Sequence, residues 1–331
     1  MTTAIRGGTV VDGTGSPARE GDVLVRDGRV AGIGPGLGAS ADEVIDATGL
    51  LVAPGFVDLH THYDAQLFWD ANASPSPLHG VTTVVGGNCG FSLAPSGPDH
   101  VDYISRMLAR VEGMPLAALQ AGLTWDWESF GDWLSRLDGR IAVNAGFLVG
   151  HSTMRRLVMG EAAVGERATE EQIAAMMGIA HQSMDAGALG FSTSRAGSHR
   201  DHGGDPVPSR HASGEEILSL SSTVRDHAGT IMEIVPTAEF YFTDADIDLM
   251  TGMSLAGRRA VNWNLLGVLG GHEKMRNKLA SADHAHRHGA RVIPLTLPDP
   301  QAMRLSFETG FVYDMLPGWG EVMTMPHAER L

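Results

Sequence analysis

From Leu51 onward the chain keeps one rhythm: short apolar runs alternate with longer stretches whose apolar residues recur at helical spacing. Strands separated by helices pair in parallel, because each helix carries the chain back to the start of the next strand. Apolar runs near residues 52–60, 81–88, 142–150, 188–193, 230–236, 260–268 and 290–297 predict seven such strands. Two helix starts are explicit. Thr169-Glu170-Glu171-Gln172 and Ser213-Gly214-Glu215-Glu216 both fit a capping box, in which two side chains satisfy free backbone N–H groups reciprocally. Behind the first, Ile173, Met176, Met177 and Ala180 form a stripe that predicts a core-facing helix side.

Before Leu51 the pattern is different. Gly8–Gly13, Asp22–Gly28 and Arg29–Ile33 read as short strands between glycine and aspartate turns, and Asp27-Gly28 is a hairpin signal. Residues 1–52 are therefore expected to form a small β module, too short to hold a good core alone, with the α/β domain at 53–331. Seven βα units suggest a TIM-like (β/α)8 barrel that lacks its last strand, although a doubly wound open sheet shares the alternation. Polar residues at the C-terminal ends of several strands favour the barrel.

Composition narrows the function classes. A net charge of −15 disfavours electrostatic attraction to nucleic acid or anionic membrane. No apolar run approaches the ~20 residues of a spanning helix, and the first residues lack a secretory signal pattern. With a single cysteine, Cys89, no intrachain disulfide can form, and a cytoplasmic location is expected.

The chemistry concentrates at a few positions. His60 and His62 end the run Pro54-Gly55-Phe56-Val57-Asp58-Leu59-His60-Thr61-His62, with Asp58 before them and Asp64 after. Alternate strand residues share a side, so the two imidazoles are placed to bind one cation. A bare histidine pair is also compatible with two hydrogen-bonded structural residues. Cys89 ends the second run, Val84-Val85-Gly86-Gly87-Asn88-Cys89-Gly90, between glycines that let other groups approach. A thiolate there would be a zinc ligand.

Together, PGFVDLHTHYD and GVTTVVGGNCGFSLAP resemble the D-aminoacylase branch of the amidohydrolase superfamily, the N-acyl-D-amino-acid deacylases. Leu148-Val149-Gly150-His151-Ser152-Thr153 and Gly187–Ser194 extend the resemblance. It implies a (β/α)8 barrel with a β-sandwich built from both chain ends, of which residues 1–52 are one half. It also implies zinc-assisted hydrolysis of a linear amide by metal-activated water, with an acid/base carboxylate from the last barrel strand. Relatives that open cyclic amides bridge two metals with a carboxylated lysine at the fourth strand. Here that strand reads Leu189-Gly190-Phe191-Ser192-Thr193-Ser194, and the chain's two lysines, Lys274 and Lys278, lie far downstream. That points to the thiolate-using branch.

Two departures are visible. Where the family has histidines on the fifth and sixth strands, this chain has Glu233 and the pair Asn262 and Asn264. The expected metal set is then His60, His62, Cys89 and Glu233 around one Zn2+, with a weak or empty site as the alternatives. Expected substrate contacts are His151, Arg195, His199 and Asn264. No catalytic acid/base is assigned: nothing after residue 297 reads as an eighth strand, and Asp299 and Asp314 are expected to be solvent-exposed. The chain is accordingly expected to be cut short relative to the family or completed by a partner. Deacylation of an N-acyl-D-amino acid is the expected function. The alternatives are an inactive remnant or a hydrolase of another amide or cyclic ureide. A small-molecule substrate is the expected partner, and a homo-oligomer is compatible with the sequence. His284, His286 and His288 are expected on a solvated helix face, and Trp125 and Trp127 as packing anchors.

Overall fold

The hairpin signal at Asp27-Gly28 is realised with both residues at positive φ, 50° and 74°, the geometry a tight two-residue β-turn requires. It joins strands β2 (Arg19–Arg26) and β3 (Arg29–Gly34). β2 also pairs antiparallel with β1 (Thr2–Val10), which takes β4 (Glu43–Asp46) and β5 (Leu51–Val52) as parallel partners on its other edge. A buried carboxylate holds the module's loops: Asp22 accepts from the backbone N–H of Gly7 at 2.9 Å and of Leu37 at 3.0 Å. The computed structural model describes residues 1–236, 241–267, 271–297, 307, 313 and 316–330. It divides into Met1–Phe56 with Gly80–Thr82, and Val57–His79 with Thr83–Leu331.

The strands that follow belong to the second unit, apart from Phe56, Val81 and Thr82. These are β6 (Phe56–Asp58), β7 (Val81–Gly86), β8 (Asn144–Phe147), β9 (Val149–Gly150), β10 (Gly190–Ser194), β11 (Ile231–Val235), β12 (Val261–Trp263) and β13 (Val292–Pro294). β8 and β9 are successive pieces of the third strand, interrupted at Leu148, so the expected run of seven is present. Each strand bonds to the next in chain order, β6-β7-β8 and β9-β10-β11-β12-β13, as right-handed βα connections produce. In β11 Met232, Glu233 and Ile234 are all buried, so both faces of the sheet are covered. Trp133, Trp263, Phe91, Phe130, Phe147 and Phe191 are wholly enclosed. Asp299 and Asp314 lie outside the described residues.

Both helices start where their caps predict, but only one of the two boxes is closed. Thr169 and Gln172 form the reciprocal box at the head of α5 (Glu170–Asp185), whose Met176 and Ala180 are buried while Ile173 and Met177 are half-buried. Ser213 likewise accepts from the Glu216 N–H at the head of α6 (Gly214–Thr223), but the Glu216 carboxylate does not return the bond. A stronger attraction has taken it. Glu216 is fully buried and bonds His151 Nε2 at 2.9 Å and both oxygens reach Arg155 Nη1 at 2.6 Å. Burial alone would raise the Glu216 pKa, but the bond from His151 and the Arg155 charge outweigh it and hold the carboxylate below its usual value. Since His151 and Arg155 begin and occupy α4 (His151–Met159), this knot clamps α4 to α6.

Among the remaining expectations, Trp127 is buried and donates its indole N–H to the Leu93 carbonyl at 3.1 Å, an anchor as foreseen. On α8 (His272–Arg287) and its C-cap, His286 and His288 are exposed as expected, whereas His284 is half-buried and faces Asp248 at 3.4 Å.

Removing one partner of a buried charge group strands the other. Arg155→Met is therefore expected to cost about 3–5 kcal/mol, and Thr169→Ala about 1 kcal/mol. Urea denaturation of the three chains checks both values.

Candidate metal centre

The histidine pair sits just past the end of β6, and the strand's alternation survives there for a specific reason. Thr61, between the two histidines, sends both its N–H and its hydroxyl to the Val85 carbonyl on β7, each at 2.9 Å. With Thr61 fastened to the neighbouring strand, His60 and His62 must project to the other side. Their rings meet edge to face, centroids 5.3 Å apart. Asp58 accepts from the His60 N–H at 3.2 Å.

Opposite them, the loop after β7 turns back on itself through three positive φ angles: Gly87 at 70°, Cys89 at 60° and Gly90 at 77°. Gly87 has no alternative, since a Cβ there would stand 2.0 Å from the Leu148 carbonyl oxygen. For Cys89 the conformation costs on the order of 1–2 kcal/mol, and the loop is held by bonds that offset it. The Cys89 N–H donates to Glu233 Oε2 at 2.8 Å, and the Gly90 N–H to Ser192 Oγ at 3.0 Å. Ser192 in turn donates to the Gly87 carbonyl, and the Gly90 carbonyl accepts from Ser152 N–H at 2.9 Å.

The result is convergence. Cys89 Sγ lies 3.3 Å from His60 Nε2 and 3.6 Å from His62 Nε2, and the three donor atoms all fall within 4.8 Å of one another. Ligands at about 2.0–2.3 Å from one zinc ion, tetrahedrally arranged, stand roughly 3.3–3.6 Å from each other. Two imidazoles and a thiol are also the donor types zinc takes. No other such group occurs among the described residues.

Three carboxylates surround this set: Asp64 and Glu233, both buried, and Glu112, partly buried. Asp64 accepts from the Gly87 N–H at 3.1 Å and leaves Oδ1 without a partner. Glu233 Oε1 faces His60 Nδ1 at 3.8 Å, and both atoms are buried without a hydrogen bond. Glu112 Oε2 stands 3.4 Å from His62 Nε2. Burial raises Asp64 to about 7 and Glu233 to about 8, and it pushes Glu112 and the Cys89 thiol well above their ordinary values. It also lowers His60 to about 4. Neutral imidazoles are what a metal needs as ligands, while so much buried acid lacks positive charge. The residues present thus suit a divalent cation.

Residues 43–305 match the model of the amidohydrolase family. The chain belongs to the amidohydrolase family. It is 40% identical over 226 residues to D-aminoacylase of Alcaligenes xylosoxydans xylosoxydans, covering 68% of this chain and 42% of that one. N-acyl-D-aspartate deacylase from the same organism is also 40% identical, over 228 residues, covering 69% and 41%. The chain therefore spans about two fifths of the length of these curated relatives. A crystal structure of D-aminoacylase superposes on 88% of this chain and 57% of its own, at a TM-score of 0.70 and 32% identity. N-acyl-D-glutamate deacylase from Bordetella bronchiseptica, complexed with zinc and a phosphonate inhibitor, has a TM-score of 0.70 at 28% identity and covers 90% of this chain and 58% of its own.

Within this amidohydrolase the residues singled out from the sequence separate into groups. His60, His62 and Cys89 come together. Glu233 does not join their donor atoms; it stands behind His60, on the Nδ1 side, because one oxygen is engaged by the Cys89 N–H. Asn264 reaches the centre, its side-chain nitrogen 3.5 Å from His60 Nε2. His199 is buried against Phe91, with Nδ1 bonded to Ser194 Oγ at 2.7 Å. Arg195 is half-buried and its guanidinium has no partner among the described residues. His151 is fully enclosed, with Nδ1 on Thr193 Oγ1 and Nε2 on Glu216, so both ring nitrogens are engaged within the protein.

Glu112 and Ser192 were missed. Glu112 carried a signal in its phase. It caps α1 (Val101–Val111), whose Ile104 and Leu108 are buried at four-residue spacing, and Glu112 is the next step on that same face.

Ser192→Ala removes both bonds that Ser192 makes to the cysteine loop. It is expected to cost about 1–3 kcal/mol and to weaken zinc retention during dialysis, read as zinc per chain by atomic absorption.

Proposed function

We propose that this chain is the metal-binding barrel portion of an N-acyl-D-amino-acid deacylase, hydrolysing a linear amide with one Zn2+. The observation that carries the proposal is the convergence of His60 Nε2, His62 Nε2 and Cys89 Sγ. The 40% identity to D-aminoacylase and to N-acyl-D-aspartate deacylase supplies the substrate class, a small N-acylated D-amino acid.

His60, His62 and Cys89 would hold the cation, which when bound supplies Lewis acidity toward the scissile carbonyl and activates water. The chain's own residues then have distinct tasks. Glu233, facing His60 Nδ1, favours the tautomer protonated there and leaves the Nε2 lone pair pointing to the cation. Its second oxygen fixes the Cys89 backbone, and so the position of Sγ. Asn264, beside His60 Nε2, is placed to hydrogen-bond a substrate amide. Arg195 offers an unpaired cation for a carboxylate, and His199 borders the same strand end. The barrel proper would begin near residue 53, after a module at 1–52 that forms half of a sandwich. No helix is long and apolar enough to cross a membrane among the described residues, and the lone cysteine suits a reducing compartment such as the cytoplasm.

A second reading rests on Glu233, Asn262 and Asn264, which stand where the resemblance places histidines: the chain binds metal without turning over substrate. Turnover separates the two readings. Zinc-loaded protein is expected to release free amino acid from N-acetyl-D-amino acids, and chelation or Cys89→Ala is expected to abolish release. Metal bound at one ion per chain with no release from any N-acyl-D-amino acid would instead establish the non-catalytic reading.

A further inference from the structure

His62 is where the centre departs furthest from a set of three donors. Its Nε2, the nitrogen that faces Cys89 Sγ, is also 3.4 Å from Glu112 Oε2. Among the described residues, Glu112 is the carboxylate in contact with a metal-facing ring nitrogen; Glu233 addresses the opposite nitrogen of His60. The separation equals the spacing that two neighbouring ligands of one ion adopt, roughly 3.3–3.6 Å. Glu112 is partly buried, and among the described residues its one charged partner is His62; no lysine or arginine pairs with it. It also lies at the C-terminal cap of α1, directly before Gly113, which has a φ of 64°.

Fold alone gives no reason for such a residue. Glu112 continues the buried face of α1 after Ile104 and Leu108, a position where an apolar side chain would pack and a carboxylate must be desolvated. Asp64 lies close by, with an unpartnered, buried Oδ1, so the neighbourhood lacks positive charge rather than negative. At the same time the strands have left the fourth donor place open: Glu233 is turned to Cys89 N–H, and Asn264 brings an amide, a poor zinc donor.

We infer that Glu112 is the fourth metal-binding residue of this chain, supplying from the end of α1 the donor that β11 and β12 do not. The inference rests on the metal-centre reading above. As placed, Glu112 lies outside the set of donor atoms within 4.8 Å of one another, so binding requires its carboxylate to rotate toward Cys89. No bond is made or broken beyond coordination, and any carboxyl proton leaves to solvent as the cation enters.

Co2+ titration of the full chain tests this, because a cysteine thiolate bound to Co2+ gives a charge-transfer absorption that reports occupancy and the intensity of its visible bands reports coordination number. Wild-type protein is expected to show the thiolate band, and Glu112→Gln to bind at least about 10-fold more weakly with altered visible bands. Glu112→Asp is expected to fall between them. In the metal-free state Glu112→Gln is expected to melt at the same temperature as wild type or higher, since it removes a buried acid; a merely structural carboxylate would instead lower it. A thiolate band with unchanged affinity and visible spectrum in Glu112→Gln overturns the inference while leaving the metal centre standing. Absence of the band in the wild-type chain overturns both.

Discussion

The hydrogen bond from the Cys89 backbone N–H to the Glu233 carboxylate joins residues 144 positions apart and sets the geometry of the centre. Cys89 occupies a left-handed conformation that a non-glycine residue adopts at a cost, and without an acceptor at that place its N–H would be buried unpaired. Glu233 is kept in place by β11, buried between its neighbours Met232 and Ile234. Thus the position of Sγ between two imidazoles is inherited from the register of a strand far along the chain. Ser192 on β10 repeats the arrangement one residue on, through Gly90.

The surrounding fold explains why such a loop can be built. Parallel strands end together on one side, and the segments that leave them have backbone groups free for side chains to satisfy. Thr61 uses the β7 carbonyl of Val85, Ser192 uses Gly87, and Asp64 uses the Gly87 N–H. Each is a short polar side chain replacing a ladder bond that the strand no longer provides. The knot of His151, Arg155 and Glu216 is different in kind: it is sealed from solvent and holds two helices, although His151 lies in a stretch that resembles a functional motif.

Most of the architecture was legible because it depends on local rules. The hairpin at Asp27-Gly28, the seven apolar runs and the Thr169 cap each follow from a few adjacent residues. His60, His62 and Cys89 were legible as well, by alternation and by the glycines around the thiol. Competition between partners was not legible. Glu216 satisfies the pattern of a cap, yet Arg155 attracts its carboxylate more strongly than a backbone N–H does, and that charge arrives from 61 residues away. Glu233 had the right residue type for a ligand, but its Oε2 was already committed to the Cys89 N–H. Glu112 was hidden for the opposite reason: its helical phase was visible, but which group the buried face would meet depends on tertiary packing.

The double duty of Glu233 has a consequence for how this ligand set can change over generations. A histidine at 233 would offer a ring nitrogen to the centre but would leave the Cys89 N–H without its acceptor, a loss of about 1–3 kcal/mol. A different non-proline residue at 89 would keep that N–H, and with it the place of Glu233, but forfeit the thiol. Position 233 therefore answers to the backbone of the loop, whatever side chain stands at 89.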